Sequence, residues 1–253
     1  MSQLAVLLGR DISYSASPAM HNAAFAALAI DARYELRDVP MHDLAREIDA
    51  LRESDAIGAN VTKPYKIDVC QLVDELAPDV QRMGAANTIV RIGHRLVAYN
   101  TDLMALAAEL PPRVRRAVIL GAGGAARAAI AALRANGAPQ TLVIDRARWA
   151  NLPGALVTAD LVINATPIGT DTDESPVPAH LLRPDLKVLD LVYRPKQTRL
   201  VLEARKQGAS ARGGAGMLLR QAAASFQLWT GREAPIDVMR EALDAELERA
   251  VRA

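Results

Sequence analysis

Short apolar runs closed by glycines or polar turns alternate along this chain with longer stretches whose apolar residues return at helical spacing, a pattern that predicts an α/β fold. Leu4 to Leu8 reads as a buried strand ending at Gly9. After the polar turn D-I-S-Y-S-A-S-P, Ala19 to Leu28 reads as a helix. Ser17, directly before Pro18, is its expected N-cap, and Ser15 an ordinary loop hydroxyl. Ala32 to Val39 gives a second strand and His42 to Arg52 a second helix. The run A-I-G-A-N-V-T-K-P-Y-K then gives a third strand and a loop carrying Thr62, Lys63 and Lys66. Two strand-like runs around Gly93 read as a hairpin, and Asp102 follows its second arm.

The second half is organised around A-V-I-L-G-A-G-G-A-A, Ala117 to Ala126, where an apolar strand runs into glycines and then an alanine-rich helix start. Gly121 and Gly123, with Ala126 in the third slot, fit the G-x-G-x-x-G/A spacing. Such a turn lets the backbone approach a pyrophosphate and aims helix N-terminal N–H groups at it. Taken alone, the motif is equally well explained by any tight strand-to-helix turn. A second strand at Thr141 to Asp145 follows at βαβ distance, and Asp145 lies where an acidic residue meets an adenosine ribose, so a dinucleotide site leads. Further strands are expected at Leu161 to Ala165 and Val188 to Val192, and helices at Gln197 to Lys206, Met217 to Trp229 and Ile236 to Val251. Leu103 to Leu110 reads as a short connecting helix, with the polar P-P-R-V-R-R after it as a seam.

Composition narrows the partner. With 253 residues and 51% apolar content the chain can build two cores, and a net charge of +1 without a basic stripe argues against nucleic acid and against a membrane surface. A small-molecule ligand is favoured. Cys70 is the single cysteine, so no intramolecular disulfide forms, and His21, His42, His94 and His180 show no metal-ligand spacing; no metal is expected. The start M-S-Q-L-A-V-L-L-G lacks the basic segment and cleavage site of a signal peptide, and no apolar run reaches membrane-spanning length, which makes a cytoplasmic protein the expectation.

Eight segments in one order then carry a resemblance: S-Y-S-A-S-P-A-M-H-N at Ser13, N-V-T-K-P-Y-K at Asn60, G-A-A-N-T-I at Gly84, N-T-D at Asn100, G-A-G-G-A-A-R-A at Gly121, I-N-A-T-P-I-G at Ile163, D-L-V-Y-R-P-K-Q-T at Asp190 and G-A-G-M-L-L-R-Q-A at Gly214. The chain resembles the shikimate dehydrogenases over nearly its whole length. The resemblance implies an N-terminal α/β substrate domain, residues 1–103, completed by C-terminal helices in 217–253, and a Rossmann-type NAD(P)-binding domain, residues 104–216, with the active site in the cleft between them. It implies reversible hydride exchange between a nicotinamide and the shikimate 3-hydroxyl, with Lys66 and Asp102 as the catalytic pair. An ammonium beside the reacting oxygen can stabilise alkoxide charge or, desolvated, take the proton, and a neighbouring carboxylate orients it. Ser15, Ser17, Thr62, Asn87, Tyr193 and Gln221 match the substrate contacts, neutral groups suited to a polyhydroxylated acid. Gly121, Ala122, Gly123, Gly124, Ala125, Asp145, Arg146, Thr166, Gly214 and Met217 match the cofactor side. A monomer or homodimer is expected.

Departures from the family pattern refine this. Tyr14 stands where histidine is usual between two serines, Lys63 and Tyr65 replace an apolar residue and a histidine, and Ala105 replaces a glycine; all could reshape the pocket rim. After Asp145 the chain reaches its next strand quickly, with Pro153 and Gly154 on the way, so a long helix will not fit and the second crossover is expected to be shortened. Asp145 would accept from the ribose hydroxyls of NAD, whereas Arg146 and Arg148 could pair with a 2′-phosphate; the reading leans to NADP, with NAD as the alternative. Its rivals are an NAD-dependent quinate/shikimate dehydrogenase and a non-catalytic binder of a shikimate-like acid whose nucleotide domain no longer holds cofactor.

Overall fold

The computed structural model describes residues 3–138 and 140–252. In the first part, β1 (Gln3–Gly9), α1 (Ser17–Ala27), β2 (Ala32–Asp38), α2 (Leu44–Glu53) and β3 (Ala56–Val61) alternate as the apolar periodicity predicts. A short β4 (Glu75–Leu76), α3 (Pro78–Met83) and the hairpin β5 (Thr88–Ile92) and β6 (Arg95–Tyr99) follow, then α4 (Thr101–Glu109). The sheet runs β2-β1-β3-β5-β6-β4, with β1 parallel to β2 and β3, and β5 antiparallel to both β3 and β6. Side chains alternate across β1, so Val6 and Leu8 join a core with Leu44, Ile48 and Leu51 of α2.

The second part carries β7 (Arg116–Leu120), α5 (Gly124–Ala135), β8 (Gln140–Ile144), α6 (Leu152–Leu156), β9 (Leu161–Asn164), β10 (Lys187–Asp190), α7 (Arg199–Lys206) and β11 (Ala211–Arg212), before α8 (Ala215–Thr230) and α9 (Ile236–Arg252). Its five strands are ordered β11-β10-β9-β7-β8 and every pairing is parallel. Strands β9 and β8 flank β7 on opposite sides, so the chain reverses direction of winding at β7, where α/β sheets place ligands. The crossover after β8 is short: a single stretch of tight helix, Arg146–Asn151, leads into the five residues of α6. Pro153 lies in the first turn of α6, where its missing N–H costs nothing, and does not interrupt a longer helix.

The fold divides into two compact units. One runs to Asp102 and includes Leu219–Glu248; the other comprises Leu103–Leu218 and the chain end from Arg249. In the first unit α8 meets the sheet closely at Gly58, where an added Cβ would strike the Ile89 carbonyl and the Trp229 indole. The indole N–H donates to that carbonyl at 2.9 Å, which fixes the lower half of α8 against β5.

One local expectation is corrected. Ser17 is not the cap of the first helix: the capping position falls on Ala16, no side chain caps it, and Ser17 lies within the first turn. The hydroxyl that serves this turn is that of Ser15, which accepts from the Ser17 N–H at 3.3 Å. Proline at the second helical residue pulls the helix start back, since its preset φ suits the first turn.

Candidate active site

The loop after β3 is pinned from two sides. Thr62 N donates to Leu8 O at 2.9 Å and Arg10 N to Lys63 O at 3.0 Å, while Ala86 N donates to Lys66 O at 2.7 Å. Tyr65 is 1% exposed and its hydroxyl donates to the Val39 carbonyl, so the residue before Lys66 anchors the loop in the core. Gly9 makes the approach feasible, because a Cβ there would lie 2.5 Å from Thr62 Cγ2 and 2.6 Å from Ile12 Cγ2. The segment bearing Ser15 and Ser17 and the segment bearing Thr62 and Lys66 therefore leave the ends of adjacent strands side by side.

Lys66 Nζ donates to Asp102 Oδ2 at 2.6 Å, with the lysine side chain 17% and the aspartate side chain 4% exposed. Surface residues of these types would be solvated singly; burial of an ion pair costs several kcal/mol per ion and persists only where both charges are satisfied. Here they are. Asp102 Oδ1 accepts from Asn87 Nδ2 at 2.9 Å, and the carboxylate lies in the first turn of α4, the positive end of the helix dipole. Asn87 Nδ2 also approaches Thr101 Oγ1 at 3.0 Å and Gln221 Oε1 at 3.4 Å. Lys66, Asp102, Asn87 and Gln221 thus form one constellation drawn from the β3 loop, the β5 and β6 ends and α8. Within it the lysine is the most accessible group, the arrangement a proton-exchanging ammonium needs.

Tyr193 is half-buried in the second unit, after β10. Nearby, Asp190 is fully buried; burial pushes its carboxyl above the usual range, opposed by hydrogen bonds from Thr198 Oγ1 at 2.6 Å, Val192 N at 3.0 Å and Asn164 Nδ2 at 2.9 Å. Thr198 in turn caps α7 through Val201 N. These bonds hold the ends of β9 and β10 in register, which explains much of the D-L-V-Y-R-P-K-Q-T segment structurally.

The elements matched to the cofactor side centre on the turn between β7 and α5. Gly121 has φ +101°, and a Cβ there would meet Ala165 O at 3.0 Å and Thr166 Cγ2 at 3.2 Å, so the turn requires glycine. Gly123 precedes α5 with no side-chain cap, and nothing lies within 4 Å of where its Cβ would be. The first N–H groups of a helix have no intrahelical partner, and no side chain caps α5, an arrangement that can accept an anion. Ala126, in the third slot, is 1% exposed and packs the helix on its sheet. Asp145 Oδ1 accepts from Arg148 N at 3.1 Å, capping the tight helix, while Arg146 and Arg148 are exposed. Thr166 is engaged in a turn, donating to Asn164 Oδ1 at 2.6 Å. Gly214 is needed for close packing, its Cβ position colliding with the Leu191 carbonyl, and Met217 is 7% exposed in α8.

Comparison with known proteins decides the family. A family model described as the shikimate dehydrogenase substrate binding domain matches residues 7–89, and one described as the shikimate 5'-dehydrogenase C-terminal domain matches residues 214–243. A Symbiobacterium thermophilum protein named shikimate dehydrogenase (NADP(+)) is 41% identical over 275 residues, covering 96% of this chain and 94% of that one. The chain belongs to the shikimate dehydrogenase family. Among solved structures, the Thermus thermophilus shikimate 5-dehydrogenase in complex with NADP(H) and shikimate superposes with a TM-score of 0.86 at 36% identity, covering 98% of this chain and all (100%) of that one. A Corynebacterium glutamicum quinate dehydrogenase in complex with NAD gives 0.84 at 27% identity, covering 96% and 99%. The family match in residues 7–89 takes in Ser15, Ser17, Thr62, Lys66 and Asn87.

Sequence reasoning missed the residues that hold this constellation from behind: Asn60, Thr88, Thr101, Ser225 and Tyr34. Asn60, Thr88 and Thr101 sit inside the N-V-T-K-P-Y-K, G-A-A-N-T-I and N-T-D segments, so a signal existed. Ser225 and Tyr34 carry none, because only the packing of α8 and β2 brings them in.

Proposed function

We propose that this protein is an NADP-dependent shikimate dehydrogenase, reducing 3-dehydroshikimate reversibly to shikimate in aromatic amino-acid biosynthesis. The observation that carries the reading is the buried Lys66–Asp102 pair, whose carboxylate also accepts from Asn87 Nδ2 while Lys66 keeps its access. The names of the relatives support both substrate and cofactor.

Bound nicotinamide supplies the hydride acceptor or donor; the chain supplies the rest. Lys66 stabilises the charge that develops on the reacting oxygen and exchanges its proton, and Asp102, fixed by Asn87 and α4, keeps the ammonium aimed. Thr62, Asn87 and Gln221 offer donors and acceptors to the substrate hydroxyls, and Ser15 and Ser17 to its carboxylate. The open N-terminus of α5 suits the pyrophosphate of the cofactor.

Cofactor choice turns on the exposed Arg146, next to Asp145. One charge-assisted pair with a 2′-phosphate is worth about 1.4 kcal/mol or more, roughly tenfold in binding. Arg146→Ala is expected to raise KM for NADP about tenfold and to leave KM for NAD nearly unchanged. Equal effects on both cofactors, or none on NADP, would assign the selection elsewhere.

A further inference from the structure

Behind the Lys66–Asp102 pair runs a continuous series of buried hydrogen bonds. It begins at Tyr34, 2% exposed, whose hydroxyl lies 2.8 Å from Asn60 Oδ1. The Nδ2 end of Asn60 faces the Asn87 backbone carbonyl at 3.1 Å, Thr88 Oγ1 at 3.0 Å and Ser225 Oγ at 3.0 Å. A carbonyl oxygen can only accept, so the NH2 end of Asn60 must be the one facing Asn87 O, and its own carbonyl must face Tyr34. Tyr34 therefore donates. One Asn60 hydrogen goes to Asn87 O and the other is shared between the two hydroxyls, which also lie 2.9 Å from each other; their onward acceptors are Gln221 O for Ser225 at 3.0 Å and Asn87 Oδ1 for Thr88 at 3.0 Å. Asn87 Oδ1 also accepts from Thr101 N at 2.8 Å, which turns the Asn87 NH2 toward Asp102 Oδ1. One path of donors, from Tyr34 through Asn60 and Thr88 to Asn87, leads to the carboxylate, and aligned bonds of this kind strengthen one another in a dry interior.

We infer that Tyr34 is a positioning residue for the reaction: acting through Asn60 and Thr88, its hydroxyl fixes the Asn87 amide and thereby Asp102. The inference rests on the dehydrogenase reading for its catalytic consequence. The Tyr34 ring is itself held rigidly. His21 stacks on it with centroids 4.4 Å apart and planes at 9°, and Asn22 bonds its backbone at both ends, 2.7 Å to the N–H and 3.1 Å to the carbonyl. Without the hydroxyl, Asn60 Oδ1 loses a buried donor, the amide gains reason to turn, and the Thr88 hydrogen follows it away from Asn87.

Tyr34→Phe keeps the ring and its stacking and removes only the donor. The first readout is taken on the protein without substrate or cofactor: the side-chain amide resonances of Asn87 in a nitrogen–proton correlation spectrum. They are expected to shift or broaden in Tyr34→Phe and to stay in place in Val80→Ala, a buried truncation in α3 outside the series. The second readout is turnover of shikimate with NADP, where kcat is expected to fall about five- to tenfold with KM within a factor of about two. Unmoved Asn87 resonances overturn the inference whatever the activity, and moved resonances with an unchanged kcat overturn it as well. A wild-type protein that turns over nothing refutes the dehydrogenase reading, and the resonances then decide the positioning role alone.

Discussion

Lys66→Met is expected to lower kcat for shikimate oxidation by about three orders of magnitude, because in the proposed mechanism one side chain supplies both the charge opposite the reacting oxygen and the route for its proton. Methionine keeps the length and apolar stem of lysine, so the loop anchored by Tyr65 and the Ala86 contact should hold. Asp102 then loses its cation but keeps the Asn87 amide and the first turn of α4, which limits the cost to the fold. Asp102→Asn should cost less than the lysine, since a positioning carboxylate touches the chemistry only through its partner. The double variant should be no slower than Lys66→Met alone, as residues acting as a unit are not additive. Initial rates at saturating cofactor, with circular dichroism to check folding, make the comparison. A Lys66→Met enzyme retaining a tenth or more of the wild-type kcat would remove the lysine from the mechanism.

Acid should destabilise the first unit through His21. The ring is 0% exposed, neither nitrogen has a hydrogen-bond partner, and aromatic rings crowd it: Tyr34 at 4.4 Å, Trp229 at 5.2 Å and Phe25 at 6.4 Å. Burial lowers its pKa from 6.5 to about 3, since nothing inside compensates the imidazolium. The native ring is neutral, so between pH 6.5 and 3 the unfolded chain binds the proton that the folded one refuses, and stability falls as pH falls through that window. Below it the native form protonates too and the loss levels off. The contribution at stake is about 4 kcal/mol by pH 3, and about 2.5 kcal/mol between pH 7 and 4.5. Urea unfolding at those two pH values measures it, with His21→Phe as the comparison, a variant that keeps the aromatic packing and cannot titrate. The wild type should lose about 2.5 kcal/mol more than His21→Phe. Equal losses would mean that carboxylates elsewhere carry the acid sensitivity.

Strand and helix identities were legible because apolar spacing is a local property. Leu4 to Leu8, the Ala117 strand and the shortened passage around Pro153 all read correctly from their neighbours in sequence. The segment holding β4 and α3 gave no reading, being too short to show a period. Nor could spacing reveal that β5 pairs antiparallel with β3, which inserts the hairpin into an otherwise parallel run and carries Asn87 to Asp102. Ser17 misled because serine before proline is a good cap in isolation, whereas the fold starts the helix one residue earlier and lets Ser15 serve the turn. At the site, the residues embedded in dense motifs stood out. Their supports did not, since Tyr34 on β2 and Ser225 on α8 meet Asn60 only through the tertiary fold.

The central claim is tested most directly by mixing the purified protein with shikimate and NADP and following the absorbance of reduced nicotinamide, with NAD in a parallel cuvette, quinate as a second substrate and Lys66→Met as control. The account predicts a signal with shikimate that is strongest with NADP and lost in the variant. Silence with both cofactors, or an undiminished signal from Lys66→Met, would contradict it.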